Sequence, residues 1–392
     1  MTSSTLSSPV REWLTKLIAI DSTSRDSNRG VIDLVADHAR SLGLEPLIFP
    51  TEDGQRSNMI VSVPDKSGST DGGVMLAGHT DCVPVDGQDW ASDPFTVEER
   101  DGLLYGRGTA DMKGFLAVIT AAMEQATRAE LSRPLHFGYT YDEELGCRGA
   151  QPFVDSLTAA GRVPSVGFVG EPSSMRMIRG HKSVNVIEVT LTGVPAHSSL
   201  TAEGVNAIEY GAEVVRYWRE RADRWRDEGP YDEAYPITYT TGSVNRIDGG
   251  TAQNIVAGRC VVTMEFRAIG ATDDAAEIEA LRGVCADIEK RMKAENEAAS
   301  VDVVVLSSSI GLDQSVDADI VELGQELGLA VSDDKVTYGT EAGIYTRGGI
   351  NCVVCGPGDI AQAHKPDEFV AVDQLAACEE FVGRLISHLS EG

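Results

Sequence analysis

Basic residues are scarce in this chain of 392. Lys and Arg number 33 against 61 Asp and Glu, a formal charge of −28. That scarcity removes nucleic acid from the expected partners, since phosphate backbones are bound by clustered Lys and Arg. It argues equally against an anionic membrane surface. Long apolar runs are missing too. No stretch of about 18 apolar residues occurs, so no membrane-spanning helix is expected. The first residues, 1–11, are polar and rich in Ser and Thr, without the apolar core of a signal peptide. A disulfide framework is also lacking: the seven cysteines are scattered and odd in number, which suits reduced thiols and a cytoplasmic chain. Cys352 and Cys355 form a C-x-x-C, but no second pair or nearby His completes a zinc ribbon. They read as small hydrophobes in a buried strand.

What is present is an ordinary globular composition, 42% hydrophobic, on a length that asks for two domains. The first half alternates helical spacing (10–20, 31–42, 115–128) with short strand-like runs (58–63, 74–77, 135–140, 166–169). Such alternation predicts an α/β layer with a mostly parallel sheet. The pattern returns late, with a strand within 345–355 and an amphipathic helix over 373–389. The middle differs. A strand over 183–192, a helix over 204–226, strands over 235–244 and 259–267, a helix over 273–297 and a strand over 301–306 follow the ferredoxin-like order. The expected organisation is a discontinuous catalytic domain, 1–181 and 311–392, carrying an inserted α+β domain, 182–310.

Charged residues gather just past the strands of the α/β part, where open sheets place their sites. Gly78-His79-Thr80-Asp81, Thr109-Ala110-Asp111-Met112-Lys113-Gly114, Asp142-Glu143-Glu144, Gly170-Glu171-Pro172 and His364 all fall at that rim. His79 and His364 supply imidazole; Asp111, Glu144 and Glu171 supply carboxylate. Such a nitrogen-and-oxygen set suits zinc, with cobalt or manganese as substitutes. Five ligands exceed one catalytic zinc but fit two divalent metals if Asp111 bridges. His79, Asp111 and Glu171 would hold one, and Asp111, Glu144 and His364 the other. Asp81 can then accept the His79 N–H and fix its tautomer. Glu143, beside the ligand Glu144, is free to act as general base and acid.

With these motifs in this order, the chain resembles the aminoacylase and carboxypeptidase-like dinuclear zinc amidohydrolases. The matching pieces also include Cys82-Val83-Pro84-Val85, residues 90–95, 105–114, and Leu145-Gly146, so the likeness runs over nearly the whole chain. Segments 339–342 and 356–368 resemble the branch that deacetylates acetylornithine. The resemblance implies a small-molecule substrate, an N-acyl amino acid with N2-acetylornithine foremost. A desuccinylase of succinyl-diaminopimelate, or a broader aminoacylase or dipeptidase, is the alternative. It implies a homodimer formed through the inserted domain, with His197 reaching the partner's site to hold the oxyanion. Asn254 and Arg267 resemble the family's polar and carboxylate-binding residues. Glu341, by charge complementarity, would receive the substrate's δ-ammonium. A binding protein that had lost the chemistry should show eroded ligands, and here every position is intact.

Overall fold

The structure is a computed structural model that describes residues 6–315 and 318–391. The chain divides into two compact units, Met1–Gly180 with Leu312–Asp333 and Thr340–Gly392, and His181–Gly311 with Asp334–Gly339.

The larger unit is built on a six-stranded sheet in the order Leu47–Pro50, Ser57–Val63, Leu135–Thr140, Val74–His79, Val166–Pro172, Asn351–Gly356. The last four run parallel, and the first two are antiparallel additions at one edge. The central strands are buried along their whole length, as expected of strands covered on both faces. That is why they read as continuous apolar runs rather than as alternation. Helices Ser8–Ile18, Arg29–Ser41, Lys113–Arg128 and Val372–Ser390 pack one core with Val61, Leu76, Phe137, Phe168 and Val353. Phe153, in a helix Ala150–Ala159 that the sequence pattern does not mark, packs over Gly138, where a Cβ would lie 3.2 Å from its ring. A Cβ on Gly170 would fall 2.1 Å from the Phe115 ring. That glycine therefore lets the helix Lys113–Arg128 lie directly on the strand that carries Glu171. Cys352 and Cys355 are buried thiols in the strand Asn351–Gly356, and burial pushes both up in pKa.

The smaller unit is an antiparallel sheet in the order Thr241–Gly249, Arg259–Arg267, Val184–Thr192, Ser300–Ser309. Helices Ala207–Glu228 and Asp274–Glu295 complete the ferredoxin-like order. Ile187, Val189 and Leu191 alternate inward, as the period-2 pattern requires. Trp218, Trp225 and Phe266 fill the core, with ring centroids 5.8 Å apart. The strand expected over 235–244 starts later. Tyr235 donates its N–H to Asp232 in a turn, Pro236 has none to give, and pairing begins at Thr241. The short segment Asp334–Gly339 groups here because Lys335 pairs with Asp232 at 2.7 Å and the Lys182 N–H reaches the Val336 carbonyl. No helix among the described residues is long and apolar enough to cross a membrane.

Candidate active site

Three adjacent parallel strands deliver the first side chains. His79 ends Val74–His79, Glu171 is the penultimate residue of Val166–Pro172, and Leu135–Thr140 leads into Asp142, Glu143 and Glu144. Asp142 turns the chain there with φ 51°, a left-handed conformation that Asp tolerates better than most residues. Asp111 sits just before the helix Lys113–Arg128. His364 follows the strand Asn351–Gly356 through a short 3-10 turn, Ile360–Gln362.

These residues converge. The two oxygens of Asp111 face two imidazoles: Oδ1 lies 2.9 Å from His79 Nε2, and Oδ2 lies 3.3 Å from His364 Nε2. Glu171 Oε1 is 3.7 Å from His79 Nε2, and Glu144 Oε2 is 3.0 Å from His364 Nε2. One atom each of His79, Glu143 and Glu171 lie within 4.8 Å of one another, as do atoms of His79, Asp111 and Glu144. All but His364 are largely or wholly shielded; its side chain is 52% exposed.

Asp81 organises this rim from behind. His79 Nδ1 lies 3.0 Å from the Asp81 main-chain oxygen and 3.5 Å from its Oδ1. The ring thus donates through Nδ1 and presents Nε2 to the acids. Asp81 also accepts the N–H groups of Glu143 at 3.1 Å and Glu144 at 3.3 Å. Its remaining partner is Ser24, whose hydroxyl donates at 2.7 Å. Cys147 donates its thiol to Glu143 Oε1 at 3.4 Å. Neither Ser24 nor Cys147 stands out in the sequence. Ser24 joins Asp81 across 57 residues of chain, a distance that no local pattern signals.

The electrostatics ask for cations. Burial, then repulsion from neighbouring carboxylates, pushes Glu143 and Glu171 well above the ordinary carboxylate range. Burial and the charge of Asp111 push Glu144 up to about 7. Burial works the same way on Asp111, but bonds to the His364 and His79 rings hold it low. Glu171 Oε1 is buried with no hydrogen-bond partner. Asp81, Asp111, Glu143, Glu144 and Glu171 therefore crowd five acids around two imidazoles whose Nε2 atoms both point at carboxylate oxygen. Divalent cations between these atoms would relieve the repulsion and fill the orphaned valence, so the donor set fits metal.

Of the remaining candidates, Glu341 belongs to the larger unit and His197, Asn254 and Arg267 to the smaller. Glu341 is wholly buried in the larger unit. Its Oε2 accepts from Thr140 and Tyr345 hydroxyls, both at 2.8 Å, and its Oε1 has no partner. Burial pushes its carboxyl up to about 7. His197 and Asn254 are exposed neighbours in the smaller unit, where the Ser198 N–H donates to the Asn254 carbonyl at 2.9 Å. His197 Nδ1 accepts the Ser199 N–H at 3.2 Å, which places the proton of the neutral ring on Nε2. Arg267 ends the strand Arg259–Arg267, donating to Glu265 at 2.6 Å and to the Thr337 carbonyl at 3.3 Å. Asn254 precedes the start of that strand. Arg267 is thus at the opposite end of that strand, roughly 26 Å long at 3.3 Å per residue, from the end that the Asn254 segment enters.

A model of peptidase family M20/M25/M40 matches residues 75–388. The acetylornithine deacetylase of Pasteurella multocida (strain Pm70) is 32% identical over 376 residues, 95% of this chain and 94% of that protein. Two solved structures share the fold. A tripeptidase from Staphylococcus aureus superposes with a TM-score of 0.73 at 19% identity, over 99% of this chain and 100% of its own. A Bacillus subtilis protein described as a dinuclear metal-binding peptidase of the M20 family gives 0.66 at 15% identity, over 97% and 98%.

Proposed function

We infer the function from one premise: the chain belongs to peptidase family M20/M25/M40. It is an amidohydrolase, and its substrate is an N-acyl amino acid, N2-acetyl-L-ornithine first of all, cleaved to ornithine and acetate. The observation that carries this is the Asp111 carboxylate, which turns one oxygen to His79 and the other to His364. His79, Asp111 and Glu171 would hold one divalent cation, and Asp111, Glu144 and His364 a second, with zinc the leading metal. When bound, the pair supplies Lewis-acid polarisation of the acyl carbonyl and acidifies water toward neutrality.

The chain's own residues do the rest. Glu143, held through its main chain by Asp81, takes a proton from the attacking water as oxygen bonds to the acyl carbon. It then returns that proton to the amine nitrogen as the carbon–nitrogen bond breaks. Asp81 keeps the His79 ring in the tautomer that presents Nε2. His197, with its proton on Nε2, donates to the oxyanion. Arg267 pairs with the substrate's α-carboxylate. Glu341 receives the δ-ammonium, a reading favoured by its buried and unpartnered Oε1.

Arg267 and the pair His197 and Asn254 lie toward opposite ends of a strand longer than any such substrate. Two chains resolve this if His197 and Asn254 serve a partner's site, so the working form is a homodimer joined through the smaller unit. The seven buried cysteines suit the reducing cytoplasm.

The test is release of acyl groups from a panel containing N2-acetylornithine, N-acetylmethionine, N-succinyl-diaminopimelate and a dipeptide. Highest kcat/KM on acetylornithine supports the assignment, and a Glu341→Gln variant should lose the preference over acetylmethionine. Highest kcat/KM on the succinyl substrate or the dipeptide would move the chain to another activity of the same family.

A further inference from the structure

Glu368 follows His364 by four residues and has no place in the reaction described above. Its side chain is 1% exposed, yet it is fully engaged. Oε2 accepts from Arg107 Nη1 at 2.6 Å and from the Gly108 N–H at 3.0 Å. Oε1 accepts from the N–H groups of Ala110 at 2.9 Å and Asp111 at 3.0 Å. One carboxylate therefore shapes the loop that ends in Asp111. Arg107, 0% exposed, neutralises it and donates through Nη2 to Gln88 Oε1 at 2.6 Å. Gln88 Nε2 in turn donates to the His364 main-chain oxygen at 3.2 Å. A circuit of hydrogen bonds thus runs from the Asp111 N–H through Glu368, Arg107 and Gln88 to the His364 main-chain oxygen, and the chain between His364 and Glu368 closes it.

We propose that Glu368 is a positioning residue that holds His364 against Asp111 and thereby fixes the second cation position, a role that rests on the two-cation reading above. The two imidazoles differ in what else secures them. His79 belongs to a central strand, is fully buried, and has its ring fixed by Asp81. His364 lies outside helix and strand, is half exposed, and holds φ at 65°, with Asp367 at 54°. Left-handed backbone at non-glycine residues persists only where surroundings enforce it. The bond from Ala91 N–H to Asp367 Oδ1 at 2.9 Å and the Gly106 N–H on the Glu368 carbonyl at 3.0 Å contribute, and the Glu368 circuit is the part that reaches the His364 main chain. Asp111 belongs to both positions and is held by Glu368 in either case, so loss of Glu368 should weaken the position that uses His364 well beyond the one that uses His79 and Glu171.

The experiment measures zinc binding by the full chain in competition with a chromophoric chelator, for wild type, Glu368→Gln and Gln88→Ala, with circular dichroism to verify folding. Glu368→Gln keeps the volume but turns an amide NH2 toward N–H donors. Gln88→Ala breaks the circuit at a partly exposed residue and spares the buried pair. Wild type should bind about two equivalents. In Glu368→Gln one equivalent should weaken roughly 10–100-fold, the range seen when residues supporting a ligand are removed, and the other, which shares only Asp111, markedly less. Gln88→Ala should show the same selectivity with a smaller loss. Raising free zinc should restore kcat with KM unchanged. Equal weakening of both equivalents, or wild-type affinity for both in folded variants, overturns the proposal. Fewer than two equivalents in wild type would instead overturn the two-cation reading, and this proposal with it.

Discussion

Asp81 Oδ1 accepts the main-chain N–H of Glu143 at 3.1 Å, so the residue that fixes the His79 ring also sets where the proposed base begins. The Ser24 hydroxyl completes the Asp81 carboxylate at 2.7 Å. A hydrogen bond to a buried charge contributes about 1.5–3 kcal/mol. Ser24→Ala should lower kcat about tenfold or more at saturating metal, with KM little changed. Steady-state kinetics check this, and a wild-type kcat would show that Asp81 holds its place without Ser24.

Glu143 is proposed to move the proton and not to bind metal. Glu143→Gln should retain metal and fold while kcat falls by roughly 10²–10⁴. Turnover and metal content measured on the same preparation decide the matter. Near-normal kcat would remove Glu143 from the proton path.

The trans role of His197 predicts complementation. His197→Ala and Glu143→Gln chains, each weak alone, should regain activity when unfolded together and refolded. In the mixed dimer, one site combines an intact Glu143 with the partner's intact histidine. Absence of any recovery, with mixed dimers demonstrated, would contradict a trans role.

His136 gives a pH signature to stability. Its ring is buried, with Nδ1 2.9 Å from the Ser62 hydroxyl and Nε2 2.8 Å from the Gly72 carbonyl, and burial lowers its pKa from 6.5 to about 4. Above 6.5 both folded and unfolded chains are neutral there. As pH falls toward 4 the unfolded chain binds a proton the folded chain refuses, so stability declines by up to about 3 kcal/mol. Below about 4 this contribution is constant. Urea unfolding at pH 7 and pH 5 should show a shallower acid loss for His136→Gln than for wild type. Equal losses would assign the acid sensitivity elsewhere.

Much of the site is legible in the sequence because of how parallel strands end. The strands that carry His79 and Glu171 and the strand that leads to Glu144 are mostly apolar runs followed within two residues by a charged residue, and adjacent parallel strands must open on a common rim. Ser24 and Glu368 carry no such signal, since their partners are a carboxylate and main-chain N–H groups far away in the chain. The strand Thr241–Gly249 is hidden for another reason. Ser243, Asn245, Arg246 and Asp248 leave it exposed and polar, whereas Tyr235 and Ile237 before it look more strand-like.

Central to the account is a pair of divalent cations held by His79, Asp111, Glu144, Glu171 and His364. The most direct measurement titrates zinc into the metal-free chain while following acetate release from N2-acetyl-L-ornithine. The account predicts no release without metal and activity that rises until about two equivalents are bound per chain. A folded chain that binds no zinc, or that releases acetate equally well without it, would contradict it.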